Sequence, residues 1–209
     1  MLTCDNLTFS LLLDEDLVEV QAALDRPEVA QFLCYDDVTD VRWAVCRRWR
    51  KDVAGEAITM VIRCDGRIIG WTGVLTIDGL PGDLQTSTFL HPDAWGTGIN
   101  VKAKHVLWAM TELLGRDRLL FSIDSNNQRS QAALWKLFPD ATVVWLAAPG
   151  EPGVDVVLAA SRGPQAPGAL GETERAALRS LLVRHPGWRV WRAPTQAVDT
   201  LEPADRSVA

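Results

Sequence analysis

Apolar positions along the chain switch period several times, and each switch marks a predicted element. Leu7-Thr-Phe-Ser-Leu-Leu-Leu13 alternates in part and predicts a first strand. Asp14 offers a helix cap, and Leu17, Val20 and Leu24 then repeat at helical spacing. Pro27 restarts a helix with Val29, Phe32 and Leu33 on its apolar face, and Thr39 or Asp40 caps another that runs through Val45 and Trp49 to Val53. The pattern becomes strand-like over Ala57–Arg63 and Ile68–Ile77, with Asp65-Gly66 between them as a hairpin signal. Gly79, Pro81 and Gly82 turn the chain into a third strand, Leu84–Leu90, which Pro92 stops.

A helix is predicted over Val101–Leu114, where Val106, Leu107, Met110, Leu113 and Leu114 share one face and Gly115 suits the C-terminal cap. Leu119–Ile123 reads as a short buried strand. Asp124-Ser-Asn-Asn127 leads into a helix with Ala133, Leu134, Leu137 and Phe138 inward, and strands are expected over Ala141–Ala147 and Val154–Ala160. The Pro/Gly-rich stretch 161–171 reads as a linker between a domain over 1–160 and a C-terminal helix and tail over 172–209. In that tail Leu178, Leu181 and Leu182 face inward, and Trp188 and Trp191 are expected to pack across the sheet or onto a second subunit, which makes a homodimer an expectation.

Composition narrows the function classes. The 209 residues carry 47% hydrophobic side chains and a formal charge of −6, so no basic excess exists to neutralise nucleic-acid phosphates. The local exception, Arg47-Arg48-Trp49-Arg50-Lys51, reads as the solvated end of a helix. Cys4, Cys34, Cys46 and Cys64 show no zinc-ligand spacing, so no metal is expected and reduced thiols fit best. No apolar run approaches the ~18 residues of a membrane span. The first residues lack a basic n-region, and a cytoplasmic protein is the expectation.

The chemistry centres on Trp95-Gly96-Thr97-Gly98-Ile99-Asn100, between a strand and a helix. A helix N-terminus leaves N–H groups without partners and carries partial positive charge, so it seats an anion. Gly96 and Gly98 permit positive φ and keep side chains out of the way, Thr97 adds a hydroxyl, and Asn100 can cap the helix or reach an oxygen. Gly-x-Gly alone is equally a plain strand–turn–helix connection. Neither a Walker A loop nor a dinucleotide fingerprint is present, since Gly-Lys-Ser/Thr is absent and Val101 stands at the third glycine position.

Leu90-His-Pro-Asp-Ala-Trp-Gly-Thr-Gly98 and Gly96-Thr-Gly-Ile-Asn-Val-Lys-Ala-Lys104, followed by Asp124-Ser-Asn-Asn-Gln-Arg-Ser130, resemble the GNAT family of N-acetyltransferases, and within it the ribosomal-protein-alanine acetyltransferases. Element order fits over 5–160, residue matches over 88–138, and the glycine the family places before Phe138 is missing. The resemblance implies an α/β (α+β) fold with a mixed, mostly antiparallel, V-splayed sheet of about seven strands flanked by helices. It implies acetyl-CoA as cofactor, with its pyrophosphate on Trp95–Asn100, its pantetheine arm along Phe89 and Leu90, Asn127 holding that arm and Ser130 near the thiol.

An amine acceptor is then expected, with direct attack on the thioester. Tyr35 and Asp36 fall where relatives build the acceptor pocket, and Ser87 is placed to touch substrate. Transfer needs a neutral amine and a proton for the leaving thiolate. Candidates for proton handling are Ser130, Asp83 and His91, but relatives often carry Glu on this strand where Leu84 or Gln85 stands here. That gap keeps a second expectation open: a CoA-binding or regulatory module without transfer activity.

Overall fold

Strand alternation and one helix-sized apolar stripe after another build a single mixed sheet with helices on both faces. The structure, a computed structural model, describes residues 1–32, 41–77, 80–116, 118–124, 126–146, 155–161, 170–186 and 188. The strands are β1 (Leu2–Cys4), β2 (Leu7–Leu11), β3 (Ala57–Cys64), β4 (Arg67–Ile77), β5 (Leu80–Leu90), β6 (Arg118–Asp124), β7 (Thr142–Leu146) and β8 (Asp155–Ser161). The helices are α1 (Leu17–Leu24), α2 (Pro27–Ala30), α3 (Val41–Val53), α4 (Ile99–Leu113), α5 (Gln128–Leu137) and α6 (Glu172–Leu182).

The sheet runs β1-β2-β3-β4-β5-β6-β8-β7, one strand more than the sequence predicts. The addition is β1, a three-residue strand joined to β2 through Asp5 at φ 54°. The predicted Asp65-Gly66 hairpin forms with both residues at positive φ, 49° and 81°, the backbone a tight right-twisted hairpin needs.

Consecutive residues of β3 face opposite ways, so Ile58, Met60 and Ile62 join the core under α4 and α6 while Val61 joins the core under α1 and α3. The first of these cores takes in Leu178, Leu181, Leu182 and Trp188, so α6 and the turn after it pack on the sheet. Trp191 and residues 162–169 lie outside the described residues.

The basic run departs from expectation at one residue. Arg50 and Lys51 close the last turn of α3, but Arg48 is 6% exposed. Its guanidinium donates to Thr59 Oγ1 and, at 3.0 Å, to the Val74 carbonyl, and it pairs with Asp52. Asp52 also accepts the Thr59 N–H at 2.8 Å and lies 3.1 Å from His185 Nε2, which ties α3 to the turn after α6.

One ladder is unlike the rest. β5 and β6 are parallel and pair at only two positions, Leu84↔Leu119 and Gln85↔Leu120. Past them the edge of β5 from Thr86 to Leu90 has no strand beside it among the described residues, while its other edge stays paired with β4 up to Leu90↔Gly70. The sheet therefore opens as a wedge toward the C-terminal ends of β5 and β6.

Candidate active site

The wedge opens at the loop that the sequence singles out. Pro92–Ala94 forms one tight turn after β5, and Ala94 is buried. The Trp95 indole N–H donates to the Leu90 carbonyl at 3.0 Å, and its ring packs against both cores. Thr97 Oγ1 donates to the Ala94 carbonyl at 2.7 Å, which spends the hydroxyl on holding the loop. Gly96 and Gly98 have φ 75° and 86°, where an L side chain is strained, and a Cβ at either would meet nothing within 4 Å. The backbone thus requires glycine while the space before the loop stays open.

Gly98, not Asn100, is the N-cap of α4; Asn100 is the second helical residue, so its expected capping role is corrected. The first bonds of the helix run from Val101 N and Lys102 N to the Gly98 carbonyl. Among the described residues no acceptor meets the N–H groups of Gly98, Ile99 and Asn100. Three donors left open at the positive end of a 15-residue helix are able to seat an anion.

Across the wedge, α5 brings the second motif. Asn127 caps α5, its Oδ1 accepting the Ser130 N–H at 3.0 Å. Asn127 Nδ2 has no acceptor among the described residues. The Arg129 guanidinium lies 4.3 Å from the centre of the Trp95 ring, so the two motifs meet at one mouth although 31 residues or more separate Trp95 from the α5 cap in sequence.

At the closed end, Asp83 sits one residue before the first pair of the β5–β6 ladder. It is 4% exposed and bound through both oxygens, at 2.9 Å to Arg118 Nε and 2.8 Å to Arg118 Nη2. Ser87 Oγ accepts the Trp71 indole N–H at 3.2 Å, and Phe89 meets the Trp71 ring edge-on with centroids 5.8 Å apart. These two side chains look toward the α1–α3 face, Thr86, Thr88 and Leu90 toward α4. Gly70 backs this segment, since a Cβ there would stand 2.1 Å from the Phe89 carbonyl oxygen.

His91 follows β5, and its Nδ1 accepts the Asp93 N–H at 3.2 Å, which places the proton of a neutral ring on Nε2. Tyr35 and Asp36 lie outside the described residues.

Sequence reasoning missed Lys104. Its side chain lies under the wedge, with Nζ donating to Thr88 Oγ1 at 3.1 Å and standing 5.2 Å from the centre of the Phe121 ring. Burial pushes the ammonium down from 10.5 to about 7. The available signal was a charge on the apolar face of α4, between Ala103 and Leu107. A shallow concavity on the outside of α3, lined by Trp43, Arg47, Arg50 and Glu56 among others, contains none of the predicted site residues.

Among the described residues no helix is long and apolar enough to cross a membrane, and no cluster of His, Cys, Asp and Glu could hold a metal ion. No curated protein matches the chain at a significant level. Solved structures share its fold. The acetyltransferase from Agrobacterium tumefaciens superposes with a TM-score of 0.60 at 20% identity, over 77% of this chain and 94% of that one. The microcin C7 self-immunity acetyltransferase MccE, solved with acetyl-CoA and AMP, gives 0.60 at 15% over 76% and 94%. RimL, the ribosomal L7/L12 α-N-protein acetyltransferase solved with coenzyme A, gives 0.58 at 16% over 76% and 94%. The model of the acetyltransferase (GNAT) domain matches residues 6–137, the span that holds α4, the wedge and both motifs, and on that match the chain belongs to the GNAT acetyltransferase family.

Proposed function

We propose that the wedge between β5 and β6 binds acetyl-CoA and that the protein transfers its acetyl group to a primary amine, on a protein or peptide N-terminus or on a small molecule. The observation that carries this reading is the unpaired N–H set of Gly98, Ile99 and Asn100 at the mouth of an open sheet edge. The cofactor supplies the activated acyl group. The α4 N-terminus would hold its pyrophosphate, as helix ends hold phosphates generally. The open backbone edge of β5 from Thr86, whose last carbonyl, Leu90, already holds the Trp95 indole, would pair with the pantetheine amides, and Asn127 Nδ2 would hold that arm, with Ser130 placed by the thiol.

Asp83 is assigned a different part from the base. Both of its oxygens are taken by Arg118, so we read it as the pin that holds the closed end of the wedge. Ser87 and His91 remain on the side and at the end of β5 where an acceptor would arrive, and Tyr35 and Asp36 are proposed to complete that pocket. The branch of ribosomal-protein-alanine acetyltransferases is supported by Leu90-His-Pro-Asp-Ala-Trp-Gly-Thr-Gly98. One observation favours the second reading, a CoA-binding module without transfer: among the described residues β5 carries no carboxylate past Asp83.

Incubation with acetyl-CoA and a panel of peptide N-termini, polyamines and small amines, read as free CoA thiol and acetylated product, tests both. Amine-dependent release supports transfer. Cofactor binding without release across the panel supports the module.

A further inference from the structure

A buried ammonium with one hydrogen bond and no carboxylate is out of place in a purely structural core. Lys104 is 9% exposed, and no acidic group pairs with it among the described residues. Its one acceptor among the described residues, Thr88 Oγ1, is itself 2.8 Å from Thr72 Oγ1, so that pair of hydroxyls cannot supply a counter-charge. Its position is the informative part. Thr88 lies on β5 three residues past the last paired position, and Phe121 lies on β6 one residue past it. The ammonium therefore spans the two strands just where they have separated. Beneath it Phe121 and Phe138 pack together, and the Trp108 indole N–H, one turn along α4, is buried with no acceptor among the described residues. Lys104 Nζ, with a single hydroxyl acceptor, and the Trp108 N–H thus leave donor capacity that suits a group becoming negative there.

We propose that Lys104 supplies the positive charge of the acyl-transfer centre, its ammonium stabilising the CoA thiolate as the thioester breaks. This rests on the acetyl-CoA reading above. In the step, the amine nitrogen forms a bond to the acyl carbon and the C–S bond breaks with its electron pair going to sulfur. The proton lost by the attacking nitrogen balances the one that sulfur gains, and Lys104 is the cation beside sulfur in between. An ammonium without a resident carboxylate interacts more strongly with the departing thiolate than with the neutral thioester, which is the differential that accelerates a reaction.

The groups facing Lys104 are few. β4 and β5 present the hydroxyls of Thr72 and Thr88, β6 presents Phe121, and on α4 itself the next residue, His105, is held low by burial. Asp83 is engaged by Arg118 and Glu112 by Arg175.

The test titrates the thiol of bound CoA by its thiolate absorbance, in the wild type and in Lys104→Met. The wild type is expected to hold the thiol about one unit or more below its value in free CoA, a tenfold preference for thiolate, and Lys104→Met to lose that preference while still binding CoA. Equal thiol titration in both proteins would overturn the proposal. A measurement on the wild type alone covers a variant that does not fold: the Lys104 ammonium, followed by NMR, should titrate higher with CoA bound than with desulfo-CoA bound. Identical titration with the two ligands overturns the proposal, whereas failure of the wild type to bind either one overturns the acetyl-CoA reading itself.

Discussion

A lysine set among Ala103, Leu107 and Phe121 has a cost that depends on pH. The unfolded chain holds the Lys104 proton up to its ordinary 10.5, the folded chain only up to about 7. Between those values the unfolded state binds the extra proton, so stability rises with pH; below about 7 both states are protonated and the penalty is complete. Lys104→Met is expected to be more stable than the wild type at pH 6 to 7, by on the order of a few kcal/mol, with the gap shrinking toward pH 10. Urea midpoints across that range check it, and a gap independent of pH would contradict it. Asp83 makes the complementary case. Asp83→Asn should lower stability by about 1–2 kcal/mol, because Arg118 loses a bidentate partner, yet leave acetyl transfer within a few-fold of wild type. A loss of two orders of magnitude in kcat would return Asp83 to the role of base. The role of Asp83 was hard to read beforehand, because it meets Arg118 only across a parallel pair 35 residues apart, whereas Lys104 left a signal that was passed over, a charge on an apolar helix face.

The elements themselves were largely legible. Leu178, Leu181 and Leu182 were expected inward and are buried, and α4 and β6 fall within two residues of their predicted limits. Periodicity failed where an element is too short to show a period, as in β1, or where the deciding feature is a backbone angle. The cap of α4 is such a case: Asn100 has the capping side chain, but the left-handed conformation of Gly98 begins the helix earlier. Gly70 is another, since its reason lies in β5. Gly70→Ala would press a methyl against the Phe89 carbonyl, and is expected to separate β4 from the site strand and lower the thermal midpoint by several degrees. An unchanged midpoint would show that the β4–β5 contact is looser than described.

At the scale of the molecule, order along the chain could not reveal that β6 pairs with β8 before β7, nor that the wedge is left open by a two-residue ladder. It also left open whether the C-terminal helix and tail pack across the sheet or onto a second subunit, and the helix with Trp188 shares the main core. Leu178, Leu182 and Trp188 are buried there, and His185 reaches Asp52 on α3. Truncation after residue 165 is expected to lower the unfolding midpoint by ten degrees or so, on the order of several lost core side chains; a midpoint equal to the full chain would refute this.

All of these parts serve one claim, that the α4 N-terminus at the mouth of the wedge is the seat of an acyl-CoA. The most direct measurement is calorimetric titration of acetyl-CoA into the full chain and into Gly98→Arg, with circular dichroism to establish that the variant is folded. One site is expected on the wild type and no detectable binding to the folded variant. Equal affinity in the two proteins, or no binding to the wild type, would contradict it.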